Sequence, residues 1–145
     1  MVARNGLESY QDTQINTLEP GKLIVLLYEK LEENLQLAIT RLEKGDMIGK
    51  GEAIQKSQDI ILELLMALNL DAGKIARDLQ SLYLFMFRDL NRINLEKDVI
   101  ALGKILKSVQ NLKEAWVAIT SRPAAESRPS TLSRKTASKN VAVMA

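Results

Sequence analysis

The chain contains neither cysteine nor histidine. The first absence excludes disulfides, thiolate zinc sites and cysteine nucleophiles. The second excludes Ser-His-Asp and Cys-His catalysis, histidine phosphotransfer and the Glu-x-x-His ligands of di-iron bundles. Aromatic residues make up only 4% of the 145 residues, so a core has to be assembled from Leu, Ile, Val and Ala, a composition that favours helices over strands. The apolar run at residues 23–28 falls far short of the roughly 18 residues of a membrane span. Residues 1–6 lack the apolar stretch of a secretory signal. These absences predict an intracellular protein with no membrane span, no cofactor and no catalytic centre.

What is present is 46% hydrophobic residues and a formal charge of +2, which suits one domain around a single core. The charge is unevenly spread. From Ser121 onward five bases (Arg122, Arg128, Arg134, Lys135, Lys139) face one acid, Glu126, giving that stretch +4 and leaving −2 for the rest. A mildly acidic body does not concentrate positive charge on a folded face, as nucleic-acid-binding domains do, so no nucleic acid is expected as a partner.

Four segments carry helical periodicity. The first opens at Pro20, where a missing N–H is no loss, places Leu27, Leu31, Leu35, Ala38 and Leu42 on one face, and stops at Gly45. The second follows a turn expected over residues 46–51, including Gly49-Lys50-Gly51, and aligns Ile54, Ile61, Leu64, Leu65 and Leu68. The third, with Asp71 or a nearby polar group as candidate N-cap, aligns Ile75, Leu79, Leu82, Met86, Leu90 and Ile93 and is expected to end at Asn94. The fourth aligns Val99, Leu102, Leu106, Val109, Leu112, Trp116 and Ile119. Short connections make successive helices antiparallel neighbours. The expected fold is all-α: an N-terminal arm or cap helix over residues 1–18, an antiparallel four-helix bundle over 19–120, and a basic disordered tail over 121–145, too poor in apolar residues to offset its ordering entropy.

Chemistry finds little purchase on this pattern. Glu29, Glu32 and Glu33 beside Lys30 read as a solvated face with local charge pairs. Gly49-Lys50-Gly51 lacks the spacing of a phosphate loop. More telling are apolar residues off the core stripes: Leu84 opposite the third stripe and Phe87 on its flank, Leu26, Val25 and Leu37 off the first, Met66 off the second and Ile100 opposite the fourth. Residues 82–87 are apolar nearly all round. Val25 and Phe85 are expected to be covered within the bundle. The others fit a groove for an amphipathic segment or a homodimer interface, and periodicity does not separate the two.

Several short motifs, in order, resemble the flagellar secretion chaperone family: Tyr10-Gln11, then Pro20-Gly21-Lys22-Leu23-Ile24 running into Leu27-Tyr28-Glu29, then residues 73–83 with Gly73, Ile75-Ala76, Leu79 and Leu82-Tyr83, and finally Leu112-Lys113-Glu114-Ala115-Trp116. Glu29 and Asp78 depart from the family's usual Asp and Asn, and the basic tail falls outside the match. The resemblance implies a non-enzymatic four-helix bundle in the cytoplasm. Such a protein holds the C-terminal segment of flagellin, prevents premature polymerisation and delivers its client to the cytoplasmic part of the flagellar export gate. It also implies a role for the N-terminal segment in covering a groove and in docking at the gate. The expected partner-binding residues are Leu7, Tyr10, Ile15, Leu26, Met66, Leu84, Phe87 and Ile100, with Tyr28 and Tyr83 at the edge of the core. The alternatives are a self-associating helical scaffold, a metal-carboxylate enzyme disfavoured by the missing histidine, and a nucleic-acid binder acting through the tail.

Overall fold

The computed structural model describes residues 20–121; the arm expected over residues 1–18, and all but the first residue of the tail expected over 121–145, lie outside these described residues. Four α-helices follow one another: α1 (Pro20–Glu43), α2 (Met47–Ala67), α3 (Lys74–Glu96) and α4 (Val99–Thr120), with a single 3-10 turn, Leu70–Ala72, between α2 and α3. α1 packs most extensively against α2 and α4, α2 also packs on α3, and α3 and α4 meet over the shortest stretch. The result is the antiparallel four-helix bundle that the periodicity implies, with α1 and α3 on one diagonal.

Two of the three corners are tight because one aspartate in each serves two helices. α1 ends with Gly45 in the left-handed region (φ 79°). The Gly45 N–H donates to the Leu42 carbonyl at 3.1 Å, and the Asp46 N–H to the Arg41 carbonyl at 2.8 Å. This paired closure satisfies carbonyls that a helix end leaves open. The Asp46 carboxylate then accepts the Gly49 N–H at 2.9 Å and caps α2. At the other corner Lys97 takes the left-handed conformation (φ 58°), and Asp98 caps α4 by accepting the Ala101 N–H at 3.0 Å. The Ala101 N–H, helped by the Arg92 guanidinium, holds the Asp98 carboxyl below the usual carboxylate range.

Three local expectations are corrected. Residues 49–51 are not a turn: α2 already begins at Met47, because Asp46 supplies the cap one turn earlier. Gly49 is required there by close approach, since a Cβ would sit 2.3 Å from Asp46 Oδ2 and 2.8 Å from Arg41 Cδ. Asp71 does not cap α3. Asn69 caps the 3-10 turn, and α3 starts from Gly73 (φ 113°) with no side-chain cap. α3 also runs past Asn94 to Glu96, its end set by Lys97.

Ile24, Leu31 and Leu35 of α1, Ile54, Ile61 and Leu64 of α2, Leu90 and Ile93 of α3, and Leu102 and Val109 of α4 fill the core. In α3 the buried stripe is Ala76, Tyr83, Met86, Leu90 and Ile93, while Ile75, Leu79 and Leu82 are only half-buried. The face is therefore rotated toward Tyr83. Tyr28 and Tyr83 are not at the core edge; both are fully enclosed. Their hydroxyls share a hydrogen bond across the α1–α3 diagonal, with Trp116 of α4 beside the Tyr28 hydroxyl. A buried polar group without a partner costs on the order of 1–3 kcal/mol, so this bond makes the two phenols tolerable at the centre. Gly21 sits so close to Thr120 that a Cβ would lie 2.5 Å from the threonine methyl. That approach brings the start of α1 against the end of α4.

Candidate functional site

The place to look for binding is where the helices cover each other least, between α3 and α4. An apolar groove of about 140 Å³ opens there, lined by Leu82, Phe85 and Met86 of α3 and Ala101 and Ile105 of α4, with Asp89, Lys104 and Ser108 as its polar members. The all-round apolar run in α3 produces this wall. Tyr83 and Met86 turn into the core, which leaves Phe85, about 130° away from the centre of that face at 100° per residue, to stand out at 58% exposed. Phe85 is thus not covered by the bundle, contrary to the expectation from sequence. Small-molecule pockets run to about 300–1,000 Å³, so a space of this size suits one side chain of a longer segment. Asp89 accepts from Arg92 Nε at 2.7 Å. Arg92 also reaches Glu96 at 2.8 Å and Asp98 at 3.1 Å, tying the α3–α4 corner at one end of the groove.

A second, larger groove of about 400 Å³ is polar. It is lined by Glu29, Glu32, Glu33 and Gln36 of α1 and Lys113 of α4. Glu32 does not pair along its own helix but with Lys113 Nζ at 2.7 Å. That contact, with Glu29 and Glu114 nearby, raises the lysine's pKa above its ordinary value. The arrangement clamps α1 to α4 and offers no apolar anchor. Among the described residues no group of three or more acidic side chains is placed to hold a metal ion, and no described helix is long and apolar enough to cross a membrane.

The residues singled out from sequence fall at separate places. Leu26 and Leu84 are half-buried, and Phe87 packs partly against the core. Met66 (79% exposed) projects from the end of α2 and Ile100 (71%) from the start of α4. These five do not converge on one cavity, and Leu7, Tyr10 and Ile15 lie outside the described residues. Sequence reasoning missed the groove pair Phe85 and Ile105. Their signal is the run of six apolar residues in α3, which no single helix face can bury. What periodicity left undecided was the phase of α3.

A model of the family described as "Flagellar protein FliS" matches residues 3–123 of the chain. The chain is similar to the flagellar secretion chaperone FliS of Salmonella typhimurium, at 33% identity over 127 residues that cover 83% of this chain and 93% of the relative. It is 31% identical to the flagellar secretion chaperone FliS of Bacillus subtilis over 116 residues, 80% of this chain and 86% of that one. The Vibrio cholerae flagellar secretion chaperone FliS shares 30% identity over 118 residues, 78% and 87% of the two chains. Residues beyond 123, with most of the basic tail, fall outside the family match.

Proposed function

The chain belongs to the FliS family of flagellar proteins, and from that premise we propose that it is a cytoplasmic, non-enzymatic export chaperone for flagellin. It binds the C-terminal segment of flagellin, keeps it from polymerising prematurely and delivers it to the cytoplasmic part of the flagellar export gate. The observation that carries this reading is the open apolar groove between α3 and α4 with Phe85 at its mouth, in a chain matched to the family over nearly all of its helical part. An apolar helix face or extended segment of the client is the natural occupant of such a surface. Ordering that segment consumes about 2–5 kcal/mol of the gross interaction. The client must therefore wrap more of the bundle than one groove, and Leu26, Met66, Leu84, Phe87 and Ile100, spread over all four helices, are available along such a path.

Calorimetric titration with the C-terminal segment of flagellin from the same organism tests the proposal. A saturable one-to-one complex with a large negative heat-capacity change supports apolar burial coupled to client ordering. Absence of binding at micromolar concentrations refutes the flagellin reading and favours a self-associating scaffold.

A further inference from the structure

The α3–α4 groove has an apolar mouth, with Phe85 largely in solvent, and a space of about 140 Å³ that suits one side chain. The stretch that follows α4 carries a segment matched to it. Among residues 121–145 the large apolar side chains are Leu132, Val141, Val143 and Met144. The last three fall in a single run, Val141-Ala142-Val143-Met144, behind residues 121–140, which are dominated by Ser, Thr, Arg, Lys, Pro and Ala. Apolar side chains gathered in this way gain by leaving water together. Residues beyond 123 also lie outside the family match, so the shared motifs assign this run no task.

We propose that residues 141–144 occupy the α3–α4 groove of the same molecule, which makes the tail a tethered competitor of the client. The inference rests on the client site proposed above and adds its regulation. The tail departs from Ser121, the C-cap of α4, and α4 is itself one wall of the groove. From Ser121 back to the level of Ile105 the distance along α4 is about 24 Å, at 1.5 Å per residue. A polar linker the length of residues 121–140 has a root-mean-square reach on the order of 25 Å. An intramolecular contact is most favoured when that reach matches the span. The N-terminal arm lacks this advantage, because it joins α1, on the diagonal from α3. Met144 is unbranched and polarisable, so it fills an irregular space and sets its sulfur against the Phe85 ring. Lys139, just before the apolar run, meets the Asp89 carboxylate on the α3 wall. Such a tether supplies an effective concentration in the millimolar range. One side chain and its neighbours hold weakly, so a client that wraps more of the bundle displaces them.

The chain has no cysteine, so a nitroxide attached to the full chain at Ser138→Cys is its sole label. Amide NMR signals of residues 82–89 and 101–108 are expected to weaken more than those of residues 29–36 in the α1–α4 groove. A mixture of labelled chain with unlabelled, isotope-enriched chain should show no such loss. Adding Val143→Ser and Met144→Ser to the labelled chain should bring the groove signals back to the level of residues 29–36. Without the label, the same two substitutions should raise affinity for the C-terminal segment of flagellin about threefold to tenfold in calorimetry. Weakening that is uniform, centred elsewhere or indifferent to the serines overturns the proposal. Equal weakening in the mixture does so too, by placing a second copy's tail in the groove. A docked tail with client affinity unmoved by the serines overturns its role as competitor. The NMR readings need no client: a docked tail on a chain that binds no flagellin, with or without the serines, refutes the export reading and upholds the contact.

Discussion

At the scale of single residues the phenol pair in the core makes the sharpest prediction. Burial pushes Tyr28 from 10.0 up to about 12, and burial, with Tyr28 beside it, pushes Tyr83 upward as well. A proton held more tightly in the folded state than in the unfolded state is a stabilising contribution that is complete below the unfolded value. Below pH 10 both states keep both protons and stability does not respond to these groups. Above it the unfolded chain releases protons that the folded core retains, so stability falls as pH rises, by about 1.4 kcal/mol per pH unit for each phenol. Urea unfolding followed between pH 9 and pH 12 should therefore show a midpoint that declines only above about pH 10. In a Tyr28→Phe, Tyr83→Phe double variant that decline should be much shallower; an equally steep one would place the alkaline sensitivity elsewhere. Near neutral pH, Tyr28→Phe alone breaks the bond to Tyr83 and should cost about 1–3 kcal/mol. Sequence showed both tyrosines on helices but set them at the core edge. Periodicity reports which face a residue occupies, and it is silent on two hydroxyls meeting across the bundle from positions 55 residues apart.

At the scale of helices, the corners decide where each one starts and stops. Lys97 is a non-glycine residue in the left-handed region at the end of α3, a conformation that costs L-residues about 1–2 kcal/mol. Lys97→Gly should therefore stabilise the bundle by up to about 1 kcal/mol, the gain being reduced by the greater freedom of glycine in the unfolded chain. Asp46→Ala removes the α2 cap and should lose about 1 kcal/mol. Thermal unfolding of the two variants beside the wild type reads both signs, and matching shifts would contradict the assignment of the two corners. The existence, order and antiparallel arrangement of the helices were legible because apolar residues recur every three or four positions in all four. Their boundaries were less so. Gly49-Lys50-Gly51 looks like a turn to any reading of local preference, yet Gly49 is demanded by Asp46 and Arg41 crowding its backbone. Lys50 is buried and bonds the Asn94 carbonyl in the last turn of α3, where a positive charge also meets the favourable end of the helix dipole. Both reasons involve partners remote in sequence or geometry that composition does not encode.

At the scale of the whole molecule, the uneven closure of the bundle matters more than any one contact. α1 is embedded between α2 and α4, while α3 leans chiefly on α2 and is joined to the core centre through Tyr83. The side of α3 toward α4 is left open. The family motifs made the bundle and its chaperone class legible, but locating the groove required the rotation of α3, and a slip of one position in its buried stripe decides whether Phe85 faces core or solvent. Phe85→Lys places a charge at the mouth of the groove, at a position with no core role, and should weaken binding of the flagellin C-terminal segment at least about tenfold while helicity stays as in the wild type. Calorimetric titration and circular dichroism of this variant beside the wild type give both readings. If Phe85→Lys left client affinity intact, the client would have to bind along another path on the bundle.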